Sequence, residues 1–172
     1  MSAMIRIWLL VMLLSGCSTI PEQVVHTSNT FKVVPDAWQA QGRVGVVFNG
    51  RTENVGFKLD FKKQAYQLTL TATLGVGQIM IESNNLGLLV DGKLVESNFE
   101  HWMTRELGWY FPIQKLAPIL FQHEQQVDDK WAISISNYQQ INKVNYPKIV
   151  RLNHLTKPIK IKLLISEVNQ LK

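Results

Sequence analysis

From Trp38 onward, apolar and polar positions alternate with a period of two, the pattern of strands that bury one face. Trp38, Ala40, Gly42, Val44, Val46 and Phe48 share one face of a first long strand. Asn49-Gly50 follows as a tight hairpin, because both residues tolerate positive φ. Phe57, Leu59 and Phe61 then alternate with Lys58, Asp60 and Lys62. Tyr66, Leu68, Leu70 and Ala72 alternate with Gln67, Thr69, Thr71 and Thr73. A Gly75-Val76-Gly77 turn leads to strands at 78–82 and 86–90 and an Asp91-Gly92 hairpin. Strands resume at 131–135, at 148–152, and at 159–165, where Ile159, Ile161, Leu163 and Ile165 alternate with Lys160, Lys162 and Leu164.

One stretch between these strands has helical spacing. Ser97-Asn98-Phe99-Glu100 reads as a capping box, with Phe99, Trp102, Met103 and Leu107 behind it and Gly108 as the stop. Pro112 opens a second, shorter helix carrying Leu116, Ile119 and Leu120, with Pro118 disturbing it. The fold class is therefore mainly β with a helical insert (α+β). A single antiparallel sheet this long must bury its apolar face, and it does so by curving into a barrel or half-barrel with an apolar concave side.

Composition adds limits. The 172 residues carry 18 Lys+Arg against 13 Asp+Glu, a formal net charge of +5, and 46% apolar side chains. That suits one domain with a real core and argues against disorder. The cations are spread along the chain without a dense run, so nucleic acid is not an expected partner. His26, His101, His123 and His154 stand far apart, and no nucleophile elbow, zinc-protease motif, P-loop or strand-linked glycine fingerprint is present. The expectation is a protein that is not an enzyme and uses no metal or cofactor.

The one cysteine sits where it carries most meaning. Residues 1–16 hold one cation, Arg6, and an apolar run from Ile7 to Leu14 that is too short to span a bilayer. The run ends Leu14-Ser15-Gly16-Cys17, which resembles the bacterial lipobox, where a diacylglycerol is attached to the cysteine thiol and the leader is removed. The alternatives are an ordinary secretory signal with a chance cysteine, or a buried N-terminal helix. With the lipobox reading, residues 1–16 are a signal peptide, 17–35 a lipidated N-terminus and tether, and 36–172 the folded domain. Ser18, in place of the aspartate that resembles an inner-membrane retention signal, points to the outer membrane, anchored by lipid and facing the periplasm.

Several segments together resemble the LolB family of outer-membrane lipoprotein receptors. They are the lipobox, the Trp38-to-Val44 stretch, the strand ending Leu74-Gly75, and Gly108 with Pro112-Ile113-Gln114-Lys115-Leu116. The segment Trp131 to Tyr138, and Pro147 with the basic-apolar strand after it, complete the set. The resemblance implies an open or half-closed barrel with a helical lid over an apolar cavity. It implies a receptor that takes triacylated lipoproteins from a LolA-like periplasmic carrier and inserts them into the outer membrane, acting as a monomer. It further implies a membrane-insertion loop at Leu74 and Gly75. The chain departs from the family pattern after Leu120, in a shortened stretch before Trp131, and in a tail without tryptophan.

The inward positions assigned to the acyl-chain cavity are Trp38, Val44, Val46, Phe48, Phe57, Leu59, Phe61, Tyr66, Leu68 and Leu70, with Trp102, Leu116, Trp131 and Ile133. The same residues would equally fill a dry core. Leu74 continues the parity of Tyr66 to Ala72, so it is either the last core residue of its strand or an apolar tip on an uncharged turn. Lys93, Lys148, Lys160 and Lys162 would meet an acidic carrier or form an ordinary solvated face. A lipoprotein accessory or scaffold subunit of an envelope complex is the competing function, with a periplasmic hydrolase a distant third.

Overall fold

A computed structural model describes residues 33–73, 75, 77–126 and 128–171. Its strands are β1 (Ala37–Phe48), β2 (Arg51–Lys62), β3 (Ala65–Ala72), β4 (Gln78–Asn84), β5 (Gly87–Val90), β6 (Lys93–Val95), β7 (Trp131–Ile141), β8 (Val144–His154) and β9 (Ile159–Gln170). Between β6 and β7 lie the helix α1 (Phe99–Leu107), a 3-10 turn (Ile113–Lys115) and a wide helical turn (Pro118–Gln122).

The strands form one antiparallel sheet in the order β6-β5-β4-β3-β2-β1-β9-β8-β7. Its two edges, β6 and β7, do not pair, so the barrel stays open, as the alternation and the family resemblance led us to expect. The edge strands are consecutive in the chain. Residues 96–130, which hold every helical turn among the described residues, therefore connect one free edge to the other. Their buried side chains join those of the strands in a single core.

Local sequence sets the hairpins. Asn49 and Gly50 both take positive φ (46° and 75°), as do Asp91 and Gly92 (48° and 76°), the geometry that matches the twist of antiparallel strands. A third such turn, Asn142-Lys143 (51° and 67°), escaped the sequence reading. The polar strand ends around it, Gln139-Gln140 and Asn145, hide the period there. Pro147 sits inside β8 without disrupting a ladder on its second side, because pairing with β9 begins only at Ile149.

The sheet bends at a bulge. Gln41 pairs with Glu167 but Gly42 pairs with Ile165, leaving Ser166 as the extra residue on β9. The Ser166 hydroxyl donates to the Gln41 carbonyl at 3.0 Å. The insertion flips the parity of β9, so the buried run Ile159, Ile161, Leu163, Ile165 continues at Val168. Gly42 permits the approach: a Cβ there would lie 2.0 Å from the Leu164 carbonyl oxygen.

Helix α1 is capped by Asn98, not by the Ser97 box expected from sequence. Asn98 has extended backbone (φ −86°, ψ 165°) and its Oδ1 accepts from the His101 N–H at 2.9 Å. The Ser97 hydroxyl instead donates to the Asn98 carbonyl. Asparagine is as good a cap as serine, and here it stands one residue nearer the helix.

Two outcomes follow from these contacts. Gly42→Ala should cost about 1–3 kcal/mol, because the opposing atom is backbone and cannot rotate away, and a lowered urea midpoint would report it. Asn98→Ala should cost about 1 kcal/mol, whereas Ser97→Ala should leave the midpoint within a few tenths of a kcal/mol.

Candidate functional site

The candidate site is the concave face of the sheet and the segment that roofs it. Strand alternation turns Trp38, Val44, Val46, Phe48, Phe57, Leu59, Tyr66, Leu68 and Leu70 inward, and all are buried. Trp131, Ile133, Trp102 and Leu116 are buried as well, and Phe61 is half-buried. So the fourteen positions assigned to the wall from sequence share one core. Cys17 and Leu74 lie outside the described residues; Gly75 is exposed, with positive φ (72°).

The roof adds a buried apolar set of its own. Met103, Trp109, Phe111, Leu116, Ile119, Leu120 and Phe121 are each 1% exposed or less. The run Trp109-Tyr110-Phe111 follows no helical or strand period, so periodicity alone does not predict its burial. Three adjacent aromatics between Gly108 and Pro112 were the signal available.

Aromatic rings join wall to roof in a continuous line. Trp38 stacks on Phe61 at 5.2 Å between ring centres, and Phe61 stacks on Tyr66 at 6.3 Å. Tyr66 meets Phe99 edge-on, Phe99 meets Phe111, and Phe111 stacks on Trp109. A branch runs from Trp38 through Phe121 to Tyr146 on β8. Edge-on and offset pairs of this kind add about 0.5–1.5 kcal/mol each beyond area burial. The end of α1 leans on β1, since a Cβ on Gly108 would lie 2.6 Å from the Phe48 ring.

Polar fastenings hold the roof at its rim. The Trp109 indole N–H donates to Glu53 of β2 at 3.1 Å, while within the roof itself Lys130 pairs with Glu100 at 3.3 Å. Tyr110 lies against His154, with 3.3 Å between its hydroxyl oxygen and Nε2, while the Lys157 ammonium sits 5.3 Å from the Tyr110 ring centre. His154 Nδ1 accepts backbone N–H bonds from Thr156 and Lys157 at 3.2 and 3.1 Å, so the proton of the neutral ring is on Nε2 and is donated to Tyr110. Burial first, and then the Lys157 charge, hold His154 below its ordinary value. Burial and nearby Glu100 push Tyr110 up to about 12.

Inside this rim the site is almost free of polar groups. Among the described residues no polar or charged residue is buried, and the indole N–H of Trp38 has no hydrogen-bond partner. Burial pushes the Tyr66 hydroxyl up to about 12. A cleft of about 300 Å³ opens at the rim, with Tyr66, Phe99, Phe111 and Ile113 within and Glu100 and Lys130 at its lip. No three His, Cys, Asp or Glu side chains converge as a metal site among the described residues. Also among them, no helix is long and apolar enough to cross a membrane. The surface so built holds apolar groups by shape and dispersion, with few directional bonds.

Comparison with known proteins agrees with this geometry. The family model described as outer membrane lipoprotein LolB matches residues 36–120, which span β1 to the wide turn of the roof. The outer-membrane lipoprotein LolB of Francisella tularensis subsp. tularensis is 24% identical over 183 residues, covering 88% of this chain and 87% of the relative. Its counterpart in a Marinomonas species is 21% identical, covering 90% of this chain and 91% of the relative. That of Shewanella frigidimarina is 24% identical over 87% and 86%. A solved DUF1329 family protein from Desulfovibrio piger covers 79% of the chain with a TM-score of 0.38 and 8% identity, too slight a likeness to build on. A match along the sheet and roof, and relatives aligned over most of both chains, place this chain in the LolB family of outer-membrane lipoproteins.

Proposed function

We propose that this chain is an outer-membrane lipoprotein receptor that accepts triacylated lipoproteins from a LolA-like periplasmic carrier and inserts them into the outer membrane. One observation carries the reading: a predominantly apolar concave face is roofed by a segment that, among the described residues, pairs with neither sheet edge by a strand ladder. Side-chain packing and a few hydrogen bonds at the rim hold such a roof among the described residues, so it can lift without breaking the sheet. An acyl chain of roughly fifteen methylenes carries on the order of 12 kcal/mol of burial free energy. Three such chains cannot cross water bare, and a wall with no buried polar or charged residue among the described residues suits them.

The described form is closed, with the roof's own aromatics in the space that cargo would take. Loading then exchanges one apolar packing for another. Direction comes from tighter acyl binding here than in the carrier, and hand-over needs neither catalysis nor nucleotide. Cys17 carries the lipid anchor, residues 17–35 tether the domain, and Leu74 with Gly75 enters the membrane to release cargo. The filled wall is also what an accessory scaffold subunit of an envelope complex would have, which makes cargo transfer the deciding assay.

The Cys17→Ala protein, incubated with carrier loaded with a triacylated lipoprotein, should co-purify with the cargo. Leu74→Glu should still accept cargo but fail to deliver it to vesicles. Cargo remaining on a competent carrier would leave the scaffold role as the better account.

The roof fastening should also weaken in acid. His154 and His123 are both held below the ordinary value of about 6.5 by burial, so the native state binds fewer protons than the unfolded chain just below that pH. Their contribution is complete above about 6.5 and is lost as pH falls through the depressed native values. Urea midpoints measured from pH 7 to pH 5 should fall, and less steeply in His154→Ala.

A further inference from the structure

We infer that the convex face of β1 and β9, beside the β3–β4 turn, is a seat for the headgroups of anionic phospholipids. Outward positions of these strands carry Arg43, Lys160 and Lys162, and the register sets Arg151 of β8 directly opposite Lys162. The partners paired with them across β1, β9 and β8 are Leu164, Val47, Gly45 and Asn153, so no acid interrupts the strip. Neither Arg43 nor Lys162 forms an ion pair with another described residue.

The face is also a groove. Gly45 and Gly56 leave a trough of about 550 Å³, flanked by Arg43 and Lys162 and reaching Thr73 and Gly75 of the turn, without an acidic side chain along it. Val47 and Leu164 are exposed on the same side, at 43% and 39%. Cations alternating with exposed apolar groups match the boundary between headgroups and acyl chains. A soluble acidic protein would satisfy the cations but would leave Val47 and Leu164 without a reason to be apolar. Phosphate groups of a membrane satisfy both. The inference rests on the delivery reading only for the presence of a membrane nearby, and it gives the turn at Gly75 a fixed approach to that membrane.

The test uses the full chain carrying Cys17→Ala, sedimented with vesicles of phosphatidylcholine alone or with added phosphatidylglycerol. Zwitterionic vesicles measure whatever the leader contributes. Binding should rise with phosphatidylglycerol, fall with salt, and drop about tenfold or more in the Arg43→Glu/Lys162→Glu double variant. The milder Arg43→Gln/Lys162→Gln pair, checked for an unchanged urea midpoint, should lie between the two. Equal binding to both vesicle types, or unchanged binding by a folded double variant, would overturn the inference. So would a double variant that keeps vesicle binding but no longer accepts cargo, since the face would then serve the carrier. Lipid binding by a chain that accepts no cargo at all would sink the receptor reading and leave this one standing.

Discussion

The structure depends on one topological constraint: the two edges of the sheet never meet, yet the apolar face between them has to be covered. The bulge at Gly42 and Ser166 bends the sheet, and bending makes the apolar face concave. With β6 and β7 as edges and as neighbours in sequence, the chain between them has to travel from one rim to the other. A route across the concave face buries its apolar side chains and those of the wall together. Hydrophobic burial selects that route, since every other path leaves both surfaces in water.

What covers the wall determines how firmly it is shut. The roof brings a nine-residue helix and two short turns, too little regular structure to be stable alone. Its stability comes from ring contacts with Trp38, Tyr66 and Phe48 and from rim bonds to Glu53 and His154. Dispersion between rings has weak directional preference, so apolar groups of another shape can replace it at modest cost. The unpaired Trp38 N–H fits such an interior, where a filled hydrogen-bond network would fix one packing arrangement. Such an interior suits apolar groups of varied shape, as the proposed acyl cargo would present.

The two faces of β1 and β9 divide the work by parity alone. Inward residues build the wall, and outward residues build a basic, partly apolar surface beside the turn at Gly75. Because alternate side chains point to opposite sides, the proposed cargo contact and membrane contact can sit on the same two strands without competing. A rigid sheet then fixes the distance between them.

By itself the sequence determined most of the strands, the two hairpins with Asn-Gly and Asp-Gly turns, the helical insert and most of the inward set of side chains. Period-two alternation and turn chemistry act over a few residues and need no distant partner. The motifs that carry the family resemblance were legible for the same reason, each being short and contiguous in the chain. Tertiary structure alone decided four things. It replaced Ser97 with Asn98 as the cap, because helix position is set by where Trp102 and Met103 find the wall. It placed the bulge at Gly42, because a parity flip in β9 shows only when β1 lies beside it. It recruited Trp109, Tyr110 and Phe111, whose burial follows a path over the sheet and no local period. And it gathered Arg43, Lys162 and Arg151, far apart in the chain, onto one face, because strand order and register are properties of the whole sheet.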